Sequence, residues 1–139
     1  MKIGEALIKN GLISNRDLEV ALKAQEKTKE RLGNIIIKMG FASSEKMAPF
    51  LSEYFQLPFV KLNELYKEIK PEVIRLVPEE LAHRFSLIPI KLEDNKLTLA
   101  MLDPLDIVAL DTVRIKTGCK ILRAVATEKE IIEAIEYCY

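Results

Sequence analysis

Two stretches of this chain spell the same pattern, one after the other, at an offset of about 29 residues. Lys2-Ile3-Gly4 returns as Arg31-Leu32-Gly33, Gly11 as Gly40, Ser14 as Ser43, Leu18 as Met47 and Leu22 as Leu51. A doubled unit constrains the fold before any single residue does, because each copy must adopt the same local structure. It also predicts two matching half-sites, suited to a ligand or partner with two similar halves.

Each copy reads as helix, glycine turn, helix. In the first, Ile3, Ala6, Leu7 and Ile8 form an apolar run that stops at Gly11, a helix C-terminal signal. Ser14 predicts the next N-cap, with Asp17 in a capping-box position. Leu18, Ala21, Leu22 and Gln25 then share one helical stripe. In the second copy, residues 31–39 predict a helix ending at Gly40, and Ser43 or Ser44 caps the next one. Its stripe is Met47, Phe50, Leu51 and Tyr54. Pro49 falls in the first turns of that helix, where it costs less than deep inside. Glu26 to Glu30 read as a solvated connection or a helix end. The expected product is a four-helix unit made of two αα-hairpins.

The pattern changes at Leu57-Pro58-Phe59-Val60, which reads as an extended linker. Pro71 and Pro78 each predict the first position of a helix. Leu87–Ile90 and Leu97–Met101 read as strands, and Asp94-Asn95 between them makes a hairpin. Asp103-Pro104 predicts the start of a helix from about Leu105 to Lys116, with Asp103 as its simplest N-cap and Thr117-Gly118 as its end. Ile121 to Ala126 alternates like a strand, and Thr127 caps a last helix that carries Glu128 and Glu130 in its first turn. The expected class is α+β. A tandem-repeat four-helix unit over 1–56 precedes a small α/β subdomain with a three-stranded sheet over 57–139. The last helical run reaches Tyr139, as in a domain cut from a longer chain.

Composition narrows the function. The chain carries 21 basic and 21 acidic residues, so its balance gives no global reason to expect DNA, RNA or a membrane surface as partner. No apolar run approaches the roughly 20 residues of a membrane span, and no signal peptide opens the chain, so a cytoplasmic location is expected. Cys119 and Cys138 lie far apart without metal-ligand neighbours and read as reduced thiols. There is no Gly-x-x-x-x-Gly-Lys-Ser/Thr loop and no Gly-x-Gly-x-x-Gly. The single histidine, His83, completes no triad and no metal set, and reads as a helix-surface residue. The carboxylates sit in helix first turns and charge-patterned faces. The chain therefore reads as non-catalytic, with no cofactor required.

The repeat also has a recognisable form. Its first copy is carried by Lys2, Ile3, Gly4, Leu7, Ile8, Gly11, Leu12, Ile13, Leu18, Leu22 and Gln25. Its second is carried by Arg31, Leu32, Gly33, Ile36, Ile37, Gly40, Phe41, Ala42, Met47, Leu51 and Tyr54. This resembles the tandem motif in the N-terminal domain of type II secretion and type IV pilus assembly ATPases. Pro58-Phe59-Val60, Val77-Pro78, the Leu87–Ile90 strand and Met101-Leu102-Asp103-Pro104-Leu105 resemble the rest of that domain. Nearly the whole chain is covered.

The resemblance implies cyclic di-GMP as ligand, since some members of the family bind it, and an ATPase domain in the same chain or complex. It implies a second kind of partner too, a membrane-anchored protein of the secretion or pilus platform, docked without nucleotide. The ligand-contacting positions it implies are Lys2, Ile3, Gly4, Leu18, Leu22 and Gln25 in the first motif, Arg31, Leu32, Gly33, Met47, Leu51 and Tyr54 in the second, and Asp103 beyond them. The physical basis is direct. An arginine at the motif start stacks on a guanine and hydrogen-bonds its edge. Glycine two residues later admits close backbone approach. The leucines floor the purines, and a terminal glutamine offers both donor and acceptor. Two positions depart from the pattern: Lys2 replaces the arginine fork, and Tyr54 stands where glutamine is expected.

Overall fold

The computed structural model describes residues 2–139. Four helices open the chain: α1 (Ile3–Lys9), α2 (Asn15–Thr28), α3 (Leu32–Lys38) and α4 (Ser44–Tyr54). Both hairpins turn at glycines in the left-handed region, Gly11 (φ 76°) and Gly40 (φ 77°), where a side chain would strain the backbone. Ser14 caps α2 in a full capping box with Asp17, and Ser43 caps α4 through the Lys46 amide. Ser44 is instead the first helical residue of α4, buried, and its Oγ accepts the Glu128 amide at 2.9 Å. Pro49 lies in the second turn of α4, within its first turns as expected. It is on the exposed side, so the Glu45 carbonyl that loses its amide partner faces solvent. Leu7, Ile13, Ala21, Ile35, Ile36, Ala42 and Met47 form the core of this half.

After the linker the chain makes two one-turn helices, α5 (Leu62–Leu65) and α6 (Pro71–Ile74), separated by a 3-10 turn at Tyr66–Glu68. Then come α7 (Glu79–Phe85), strands β1 (Leu87–Glu93) and β2 (Lys96–Met101), α8 (Ile107–Thr117), β3 (Lys120–Val125) and α9 (Glu128–Cys138). The sheet order is β1-β2-β3, with β1 antiparallel and β3 parallel to β2. The hairpin turns on Asp94 (φ 51°) and Asn95 (φ 61°), the positive-φ pair a two-residue loop demands. Pro89 sits in an edge strand beside a register shift, where its missing amide is tolerated. One face of the sheet packs Ile88 and Ala100 on Ile131, Ala134 and Ile135 of α9. The other packs Leu87, Leu97, Leu99 and Met101 on Ala109 and Val113 of α8.

Two expectations need correction. Pro78 is the N-cap of α7, one residue before the helix. The helix after β2 starts at Ile107, and its N-cap is Asp106, whose side chain accepts the Ala109 amide at 3.1 Å. Asp103 instead accepts the Leu105 amide in a tight turn (3.1 Å), because Pro104 shapes a turn here before the helix begins. The linker is extended, as expected, and it is also paired. Phe59 bridges Val125 in parallel register, with Val125 N donating to Pro58 O (2.8 Å) and Val60 N to Val125 O (2.9 Å). Around that bridge Ala48, Leu51 and Val125 form a small core that joins the two halves.

Candidate functional site

The two helices that begin the motif copies, α1 and α3, start beside each other. Lys2 and Arg31 are their N-caps, both extended, and neither helix has a side-chain cap. Between these starts lies an open cleft of about 900 Å3. It is lined by Lys2, Ile3, Gly4, Leu18, Leu22 and Gln25 from the first copy and by Arg31, Leu32, Gly33 and Tyr54 from the second. Ten of the thirteen residues singled out from the sequence thus share one surface. The other three stand behind it. Met47 is fully buried under Gly33, while Leu51 and Asp103 line a small adjoining pocket shared with Ile3, Arg31 and Gly33.

The two copies use equivalent positions differently. Leu22 is 43% exposed on the cleft, whereas Leu51 is 7% exposed and packs against Ala48 and Val125. The second copy is the one that faces the α/β half, so Leu51 becomes core there. The first copy has no such neighbour, and its leucines remain available to the cleft.

Gln25 Nε2 donates to the Glu30 carbonyl at 3.1 Å, which folds the inter-copy connection back over the end of α2. That connection turns at Lys29, in the left-handed region (φ 58°). Tyr54 sits in an aromatic row, stacked on Phe50 (5.6 Å between ring centres) and edge-on to Phe55 (4.9 Å). Arg31 Nε makes an ion pair with Asp103 Oδ2. This oxygen is buried. Burial pushes the Asp103 carboxyl above its ordinary range, against the opposing pull of Arg31 and the Leu105 amide. The pair ties the start of α3 to the loop after β2.

Sequence reasoning missed five lining residues: Glu5, Lys29, Glu30, Phe55 and Leu105. Glu5 follows Gly4 in the first turn of α1, and Lys29 and Glu30 belong to the connection between copies, so their place in the repeat was a usable signal. Phe55 and Leu105 arrive through tertiary packing. The cleft carries the cations Lys2, Lys29 and Arg31 against the carboxylates of Glu5 and Glu30. Glu30 is drawn toward Lys38 (2.6 Å). Among the described residues no group of histidines, cysteines and carboxylates is placed to hold a metal ion, and no helix is long and apolar enough to cross a membrane.

Residues 55–139, more than half of the chain, match the family model of the MshEN domain. The chain belongs to the MshEN domain family. Over nearly its full length this MshEN domain is 35% identical to the type IV pilus assembly ATPase PilB of Myxococcus xanthus and 32% identical to type II secretion system protein E of Xanthomonas campestris. It spans 24% and 25% of those proteins, about a quarter of their length. Among solved structures, MshE with cyclic di-GMP superposes with a TM-score of 0.79 at 28% identity, covering 100% of this chain and 99% of that one. The N-terminal domain of XpsE superposes with a TM-score of 0.79 at 26% identity, covering 97% and 92%. The family model begins at the end of α4; the matches to these relatives and structures extend over the tandem repeat before it as well.

Proposed function

We propose that this MshEN domain is the regulatory N-terminal domain of a type II secretion or type IV pilus assembly ATPase, and that it senses cyclic di-GMP in the cleft between its two motifs. The observation that carries this reading is the convergence of Lys2, Gln25, Arg31 and Tyr54, the first and last positions of both copies, on one cleft. A ligand of two like halves spans such a cleft with one base in each copy. Lys2, Lys29 and Arg31 supply positive charge for its phosphates. Ile3, Leu18, Leu22 and Leu32 supply apolar floor, Gly4 makes room for Leu18 to lie over it, and Gly33 keeps the backbone open at the cleft edge. Met47 and Leu51 support that floor from behind. Asp103 acts through Arg31, by holding the guanidinium in place. In this reading residues 1–56 are the ligand-binding unit and residues 57–139 relay its state to the rest of the machine. The domain itself is non-catalytic and works in the cytoplasm.

The likeness to MshE with cyclic di-GMP supports the ligand. A second role is favoured by a different observation. Ile107, Val108 and Ile115 on the outer face of α8 are exposed, an apolar surface of the kind that marks protein contacts. Docking of that face on a membrane-anchored platform protein would recruit the domain to the inner membrane without inserting it.

Isothermal titration calorimetry of the domain with cyclic di-GMP, with GTP and GMP as controls, tests the sensing role. Saturable heat at about one equivalent is expected from cyclic di-GMP alone, with no comparable binding by either control. No heat at high micromolar ligand, from protein shown to be folded, would leave the doubled motif as scaffold.

A further inference from the structure

Glu30 stands between two cations of the cleft. In the sequence it lies between Lys29 and Arg31, and all three residues line the cleft. Its backbone is held on both sides. The Glu30 amide donates to Thr28 Oγ1 at 3.3 Å, and its carbonyl accepts from Gln25 Nε2 at 3.1 Å. Lys29 before it turns the chain in the left-handed region (φ 58°). The carboxylate therefore starts from a fixed point, and its side-chain torsions alone decide which cation it meets.

The cation it meets is Lys38. Lys38 is the last residue of α3, and its Nζ lies 2.6 Å from Glu30 Oε2. Lys38 is not one of the residues that line the cleft. The pair thus draws the Glu30 carboxylate toward a cation outside the cleft and away from the two beside it in the chain. A phosphate entering the cleft competes with every carboxylate that can reach Lys29 and Arg31. Asp103 already engages Arg31 through Nε. A released Glu30 would be tethered next to both cations, at an effective concentration far above that of a free ligand. It would also set a negative charge against an anionic ligand.

We propose that Lys38 is a positioning residue for the anionic ligand: by holding Glu30 at the C-terminal end of α3, it keeps that carboxylate off Lys29 and Arg31 and leaves both cations open to phosphate. The inference rests on the cleft being a cyclic dinucleotide site. It adds two residues outside the repeated motif, with opposite effects on affinity. It also gives the connection between the copies a task, since neighbouring charges of opposite sign are sorted to different sides of it.

The test is a titration of the domain with cyclic di-GMP in about 0.15 M salt, where distant exposed charges are screened. Lys38→Met is expected to weaken binding about three- to fivefold, the range of an exposed ion pair. Lys38→Arg keeps the pair and should stay within about twofold of the wild type. Glu30→Gln should bind at least as tightly as the wild type, because the competitor is gone. In the Glu30→Gln background, Lys38→Met is expected to change affinity by less than about 1.5-fold, because no carboxylate remains to be restrained. The side chains of Lys38 and Glu30 are 68% and 37% exposed, so none of these variants should shift the melting temperature appreciably; a merely structural role would show there instead. Equal losses from Lys38→Met in both backgrounds would make Lys38 a distant charge acting on the ligand directly, and would overturn the inference. Unchanged affinity in Lys38→Met alone would overturn it too. Either result, with a wild type that binds, leaves the sensing role standing. A wild type that does not bind cyclic di-GMP removes the sensing role and this inference with it.

Discussion

Leu18 overhangs Gly4 so closely that a Cβ at residue 4 would fall 2.8 Å from Leu18 Cδ1. The equivalent pair in the second copy is Gly33 and Met47, where a Cβ would meet Met47 Cε at 3.7 Å, an ordinary contact. The repeat therefore keeps the glycine in both places but needs it for packing in one. Gly33→Ala is expected to stabilise the fold by about 0.5–1 kcal/mol, since alanine fits and loses less backbone freedom on folding. Gly4→Ala gains the same backbone term and then displaces the flexible tip of Leu18, so it should end near zero or cost up to about 1 kcal/mol. Thermal melts of the two variants check the difference; equal shifts would mean that Leu18 yields freely.

Leu22 and Leu51 are the same residue in the same repeat position, one exposed on the cleft and one sealed against Val125. Leu51→Ala is expected to cost about 2–4 kcal/mol in urea unfolding, from lost burial and the cavity left behind. Leu22→Ala should stay within about 0.5 kcal/mol of the parent. In calorimetry the ranking of interest is that of Leu22→Ala, which is expected to weaken cyclic di-GMP although it barely moves stability.

The Arg31–Asp103 pair makes stability depend on pH in a definite direction. Asp103 has 19% of its side chain exposed, and burial raises its carboxyl pKa while Arg31 lowers it. A carboxyl with a folded pKa above its unfolded one lets the native state hold the proton more tightly. Its contribution is greatest below the unfolded pKa and is lost as pH rises through the folded value. Arg31→Ala removes the chief opposing pull, so the folded pKa moves higher and the loss at neutral pH deepens. Melting curves against pH should show a larger deficit for Arg31→Ala at neutral pH than in mildly acidic buffer. Adding Asp103→Asn should flatten that dependence. The deficit itself is expected to be about 1 kcal/mol, because the Arg31 side chain is 42% exposed and the pair is partly screened. Arg31→Ala should also abolish cyclic di-GMP binding while the domain stays folded, and unchanged affinity would sink the site assignment.

What the sequence disclosed was what is decided locally. Ser14 with Asp17, Gly11, Gly40, Gly118 and the Asp94-Asn95 turn each satisfy backbone needs within a few residues, and each stands where the sequence indicated. Asp103 and Asp106 show where local reasoning ends. Both are plausible caps three residues apart, and the turn at Pro104 gives the cap to Asp106 and leaves Asp103 for Arg31. The doubled motif disclosed most of the cleft, because residues at matching helix starts are brought together by stacking the copies. Periodicity alone makes all four stripe residues, Leu18, Leu22, Met47 and Leu51, read as core, and it could not disclose that Leu51 would be sealed while Leu22, at the same repeat position, stayed on the surface. That asymmetry comes from the α/β half lying against one copy, which no repeat pattern encodes. Phe55 and Leu105 enter the cleft for the same long-range reason.

The strand-like pairing of Pro58 and Val60 with Val125 has a mechanical consequence. A segment that reads as a tether is stitched into the edge of the sheet, and Ser44 adds a second stitch to the first turn of α9. To swing the four-helix half as a rigid arm, the molecule would have to unpick both stitches and pull Leu51 off Val125. Cleft and sheet are therefore tied into one body, and the Arg31–Asp103 pair fastens them a third time, at the start of α3.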